Sequence, residues 1–123
     1  VSGVTASRQT LHDALEAAGI RTAYRGGVFS PPVAIIAPDD PWLGPSDLAG
    51  GRRTVRWRVW AVVGVPDQEG ADQAVETLMG QIVAALDPLP GWGLVIFSAP
   101  GPTDIPGGAY YAARGAIETI GGT

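Results

Sequence analysis

The sequence predicts a two-layer α+β domain in which two helices pack on one face of a largely antiparallel or mixed sheet of about four to five strands. Three observations point there. Two segments repeat their apolar residues at helical spacing, a long central segment alternates them at strand spacing, and the elements follow the order helix, strands, helix, strands. The 123 residues fit one domain spanning 1–123. With 46% hydrophobic and 16% charged residues, the chain has the apolar content to bury a core.

The first helix is expected from about Ala6 to Ala18, where Leu11, Ala14, Leu15 and Ala18 recur at spacings of three and four. Thr5 or Ser7 is the expected cap, and Gly19 the stop. A short extended segment, Ile20 to Tyr24, leads through Gly26-Gly27 and Pro31-Pro32 to a buried strand, Val33-Ala34-Ile35-Ile36-Ala37. Residues 38–51 hold three prolines and three glycines among 14 residues, so a long loop is expected there. With few apolar anchors, that loop is expected to order only when it meets a partner.

Arg53 to Val65 carries the strongest strand pattern. Val55, Trp57, Val59, Ala61, Val63 and Val65 share one face, while the other runs Arg56, Arg58, Trp60, Val62. One end of that second face should be wet and the other covered. A second helix follows from about Gly70 to Leu86, with Ala74, Val75, Leu78, Met79, Ile82, Val83 and Leu86 as its stripe. Asp87-Pro88 ends it, and Leu94 to Phe97 reads as a short strand. A Pro/Gly-rich turn from Pro100 to Gly108 then leads to a last strand, Ala109 to Ile120. The expected core is Leu11, Leu15, Ile35, Val55, Trp57, Val59, Val63, Leu78, Ile82, Leu86 and Val95.

Composition narrows the function classes. There are no cysteines, which removes disulfides and thiolate ligands, and neither a basic-plus-apolar leader nor an 18-residue apolar run is present. A soluble protein made in the cytosol, with no membrane contact, is expected. The net charge of −4 disfavours sequence-independent binding to nucleic acid, which depends on clustered cations.

No catalytic, cofactor or metal site is expected from the residues. His12 beside Asp13 and one turn before Glu16 suggests a general base, but no nucleophile accompanies it and a solvated helix position is the simpler reading. Asp39, Asp40 and Asp47 lack the spacing of a calcium loop. The pairs Gly26-Gly27, Gly50-Gly51, Gly107-Gly108 and Gly121-Gly122 lack a phosphate-binding fingerprint and read as turns.

Arginine interleaved with tryptophan is a pattern shared by single-stranded nucleic-acid platforms and protein interfaces. Alternation puts Trp57 opposite Arg56 and Arg58, leaving Trp60 alone on the arginine face, which favours the interface reading over a plain surface or a nucleic-acid platform. Two patches are therefore the candidate contacts: Arg56, Arg58, Trp60 and Val62 on the strand face, and Trp42 with Leu43 in the Pro-rich loop. The arginines are expected to pair with carboxylates of a neighbouring copy.

Several segments together resemble the tail terminator proteins of long-tailed bacteriophages, especially those infecting actinobacteria. They are Ala17-Ala18-Gly19-Ile20 at the end of the first helix, Pro31-Pro32-Val33-Ala34-Ile35-Ile36 running into Pro38-Asp39-Asp40-Pro41-Trp42, the Arg/Trp-rich strand Thr54 to Val63, and the helix after it. The resemblance spans nearly the whole chain, and related neck and tail-completion proteins share its layout. It implies a ring, usually of six copies, that sits on the last ring of tail tube protein. The ring ends tube growth and offers a surface to the head–tail connector or neck protein of the filled head, while DNA passes through without sequence-specific binding. Its place would be the head–tail junction of the virion, after synthesis in the host cytoplasm, with no reaction and no cofactor. The alternatives are another head–tail connector protein, a monomeric ligand-binding domain whose Trp42 loop closes over an apolar pocket, and a cryptic enzyme.

Overall fold

A computed structural model describes residues 2–24, 31–45, 53–64, 70–105 and 108–121, with the side chains at 2–5, 40–45, 53, 105, 108–109 and 120–121 left aside. Two helices, α1 (Ser2–Ala17) and α2 (Ala71–Leu86), accompany six strands. These are β1 (Thr22–Tyr24), β2 (Val33–Pro45), β3 (Arg53–Gly64), β4 (Ile96–Phe97), β5 (Gly101–Ile105) and β6 (Gly108–Gly121). They form one mixed sheet in the order β1-β2-β3-β6-β4, with β5 also paired to β6. Among the described strands, only the β1–β2 pairing is parallel. The expected two-layer α+β architecture is present, with one strand more than the sequence suggested.

Both helices cover the same face of the sheet. Leu11 and Leu15 of α1 and Val75, Leu78, Ile82 and Leu86 of α2 pack against Ala34, Ile36, Val55, Trp57, Val59, Ala61, Ala113 and Ile117. The spacings of three and four along each helix, against alternation along each strand, are what bring these side chains to one plane. Every residue of the expected core is buried or half-buried, but Ile35 faces away from the helices. It joins Val33, Val62 and Ala112 in a second, small apolar cluster on the other face of the sheet. The apolar run in β2 is thus buried on both sides.

α1 ends as its sequence implies. Gly19 takes a positive φ of 80°, the Ile20 N–H donates to the Leu15 carbonyl at 3.0 Å and the Gly19 N–H to the Glu16 carbonyl at 3.0 Å. This is the two-bond left-handed termination, with Ile20 tucked beside Leu15 in the core. The start of α1 differs from expectation. The helix already runs from Ser2, so neither Thr5 nor Ser7 caps it. Ser7 is buried inside the helix, where its Oγ accepts a 2.9 Å hydrogen bond from the indole N–H of Trp57.

Two expected loops are partly strand. Residues 38–45 continue β2, with Pro38 opposite Trp57 and Leu43 opposite Val55. Asp39, Asp40, Pro41 and Trp42 there face a single β3 residue, Arg56, so this stretch bulges out of register. Proline is tolerated here because, among the described residues, β1 pairs only with residues 34–36 and no ladder runs along the outer side of β2 beyond them. The remainder of the expected loop, 46–51, lies outside the described residues. Likewise Gly101–Ile105, expected as turn, is β5, folded back on β6 in a hairpin.

Candidate protein interface on the open sheet face

The face of the sheet opposite the helices can be built row by row from the strand register, since directly opposed residues point the same way. One row runs Arg114, Trp60, Ile35 across β6, β3 and β2. The next runs Ile96, Ala116, Arg58, Ala37 from the β4 edge inward. Glu118 opposite Arg56 forms the row beyond, and Ala112, Val62 and Val33 form the row on the other side.

This face changes character along its length, as the alternation in β3 implies. Val62 is fully buried at 0% exposure and Val33 and Ala112 are buried with it, so the small cluster closes this end; Ala23, Trp60 and Tyr110 pack against it. At the other end, Arg56, Arg58 and Trp60 are half-buried and Arg114 and Glu118 exposed. Ile96, at 74% exposure, is directly opposite Ala116, and Leu94 nearby on the same edge is 68% exposed. The result is a patch of Trp60, Ala116 and Ile96 set among three arginines.

The arginines differ in what they have left to offer. Arg56 donates from Nε to Glu118 at 2.9 Å and Arg58 from Nη2 to Asp39 at 2.8 Å. Arg56 and Arg58, expected to reach carboxylates of another copy, each meet one within the subunit, supplied by the alternation along β6 and by the bulging of β2. Arg58 still holds a buried Nε with no hydrogen-bond partner among the described residues, and its guanidinium sits 6.0 Å from the Trp60 ring centroid. Arg114 has no carboxylate within reach among the described residues.

Of the residues singled out from sequence, Arg56, Arg58 and Trp60 come together on this face. Val62 lies on the same face but inside the subunit, supporting Trp60 from beneath instead of offering a contact. The backbone of Leu43 pairs with Val55 and Trp42 lies in the bulge opposite Arg56. Both patches thus lie on the paired strands β2 and β3, but Leu43 is opposite Val55, a residue of the helix-facing side. Sequence reasoning passed over Ile96, Arg114, Ala116 and Glu118; the alternation in Tyr111 to Glu118 was the available signal, but the pairing that sets them beside Trp60 was not.

The other polar groups serve the fold. Thr22 donates its backbone N–H and its hydroxyl to Glu16 Oε2 at 3.0 and 3.1 Å, with His12 Nδ1 2.7 Å from the same hydroxyl. His12 thereby ties exposed α1 to β1. Tyr111 donates its hydroxyl to Asp72 at the start of α2, and that hydrogen bond, followed by burial and the charges of Asp72 and Glu76, raises its pKa above the ordinary value of 10.0. Among the described residues no three His, Asp or Glu side chains converge as metal ligands, and no helix is long and apolar enough to cross a membrane.

One open cleft of about 660 Å³ lies between the end of α1 and α2, lined in part by Gly19, Arg21, Pro32, Gln73, Thr77 and Gln81. Trp42 stands in the bulge of β2, toward the opposite end of that strand from the cleft's Pro32. In comparisons with known proteins, no family model and no curated relative matches the chain.

Proposed function

We propose that this chain is a structural subunit of a phage virion, a tail terminator that closes into a ring, six copies in the usual arrangement, on the end of a tail tube. In this role it stops tube growth, presents a docking surface to the head–tail connector, lets DNA pass, and performs no reaction. The sequence resemblance supports the identity of the assembly. The observation that carries the assembly itself is the open sheet face, where Trp60, Ala116 and a 74%-exposed Ile96 lie among Arg56, Arg58 and Arg114. Tryptophan and arginine around an apolar centre are the residue types that dominate protein–protein contacts, and the helices leave this face uncovered. A net charge of −4 also suits a channel lining to which DNA phosphates do not adhere.

The test is the double variant Trp60→Ala with Ile96→Asp, examined by light scattering, by electron microscopy alone and with tail tubes, and by thermal unfolding. Ile96 is exposed and Trp60 half-buried, so the variant should stay folded while losing rings and tube caps. A folded variant that assembles and caps tubes as the parent does sinks the proposal. A second reading, a monomeric small-ligand domain, has the 660 Å³ cleft in its favour; a parent protein that is monomeric at all concentrations, tubes included, would transfer the argument to that cleft.

A further inference from the structure

We infer that the arginine-bearing sheet face of one copy seats on the helical layer of a second copy, where Asp72 and Glu76 of α2 stand, so that successive copies join head to tail. This rests on the assembly reading above and adds which two surfaces meet.

The two layers carry opposite charge. On the open sheet face the described charged residues are Arg56, Arg58 and Arg114 against Asp39 and Glu118, and two of these arginines are already paired. The third, Arg114, is exposed beside Trp60 and has no carboxylate in reach among the described residues. The helical layer exposes Asp13 and Glu16 on α1 and Asp72 and Glu76 on α2, against Arg8 and, in the cleft between the end of α1 and α2, Arg21 among its described side chains. α2 contains no Lys or Arg at all. Arg8 lies 4.8 Å from the Tyr24 ring centroid, at the opposite edge of the sheet from β4. Asp72 and Glu76, one helical turn apart, project the same way, and among the described residues the neutral Tyr111 hydroxyl is beside them.

Charge decides between the ways two copies can meet. Two sheet faces brought together would oppose Arg114 and the Arg58 region to their own kind, and two helical layers would oppose Asp72 and Glu76 to theirs. Like charges across a contact weaken it, whereas a sheet face on a helical layer places Arg114 against carboxylates that have no ion-pair partner among the described residues. That contact uses two different surfaces of each subunit, which is the kind that builds rings when its rotation closes. The exposed Ile96 and half-buried Trp60 would supply its apolar centre.

The experiment uses Arg114→Glu, Glu76→Arg, and the two combined, followed by sedimentation and electron microscopy. Both positions are exposed, and circular dichroism should show all three variants folded. Each single variant should raise the concentration for half-assembly about 10-fold or more, because one charge now faces its like. The combined variant should recover toward the parent, since every contact again pairs opposite signs, and an equimolar mixture of the two singles should co-assemble. Assembly of the parent should also weaken as salt rises. If Arg114→Glu unfolds, Arg114→Gln replaces it, with a smaller loss expected and the same salt test applied. Singles that assemble like the parent, or a combined variant no better than either single, overturn this contact while leaving self-assembly standing. A parent that never assembles overturns both.

Discussion

Replacing Trp57 by Ala probes the centre of the fold, where sheet and both helices meet. The side chain is 1% exposed, and its indole N–H is held by Ser7 Oγ at 2.9 Å. A tryptophan buries roughly 150–250 Å², which at about 25 cal/mol per Å² corresponds to about 4–6 kcal/mol. That area is an upper bound because unfolded chains already bury some of it, and large-to-small changes in cores cost about 3–5 kcal/mol. We expect about 4 kcal/mol, against a total stability of about 5–15 kcal/mol for a domain. In urea, with a slope of about 2 kcal/mol per M, the midpoint should fall by about 2 M with the slope unchanged. Trp57→Phe keeps most of the ring but strands the Ser7 oxygen, and should cost about 1–2 kcal/mol; Ser7→Ala should cost about 1 kcal/mol. The double variant Trp57→Phe/Ser7→Ala should then lose less than the sum of the two. A Trp57→Ala loss below about 1 kcal/mol would mean that this ring does not occupy the core and that the faces of β3 are exchanged.

Gly115→Ala should destabilise by about 1–3 kcal/mol in the same assay, as overpacking does. A Cβ there would stand 2.7 Å from Phe97 Cε1 and 2.9 Å from the Val59 carbonyl oxygen, and the second of these is backbone; unchanged stability would show that Gly115 is not wedged between Phe97 and the Val59 backbone. A double-mutant cycle on Arg56 and Glu118 should return under about 1 kcal/mol and shrink in salt, because the pair is 37% and 52% exposed; a larger, salt-insensitive coupling would refute that reading. Tyr111 should ionise above its ordinary pKa of 10.0 because Asp72 accepts its proton-bearing hydroxyl. Its contribution to stability is therefore complete below pH 10.0 and lost as pH rises through the higher folded value. Ultraviolet titration of the parent against Tyr111→Phe isolates this group, and Asp72→Asn should lower its pKa; no change would remove the hydrogen bond as the cause.

What could be read from the chain alone was whatever repeats over a few residues. Leu11 and Leu15, or Val75, Leu78, Ile82 and Leu86, announce a helix stripe because helical geometry returns the chain to one side every three or four positions. Val55, Trp57 and Val59 announce a strand face for the corresponding reason, and Gly19 announces a helix stop because a left-handed residue is needed there. The helical cover on one face of the sheet follows from these, and so does the wet-to-covered gradient from Arg56 to Val62.

Partnership between distant residues has no such local signature. That Pro38 and Pro45 can sit in a strand depends on β1 stopping short of them, and that Gly101 to Ile105 pairs depends on where β6 lies. Ser7 reads as a helix cap until Trp57, 50 residues on, is found at its oxygen. Asp39 reads as a turn residue until the bulge of β2 delivers it to Arg58, and Glu118 acquires meaning only opposite Arg56. The candidate interface was half legible for the same reason. Alternation within β3 marked Arg56, Arg58 and Trp60, but only the register of three strands joined them to Arg114, Ala116 and Ile96, since hydrogen-bonded pairing across a sheet selects neighbours by the geometry of the whole fold and not by their distance along the chain.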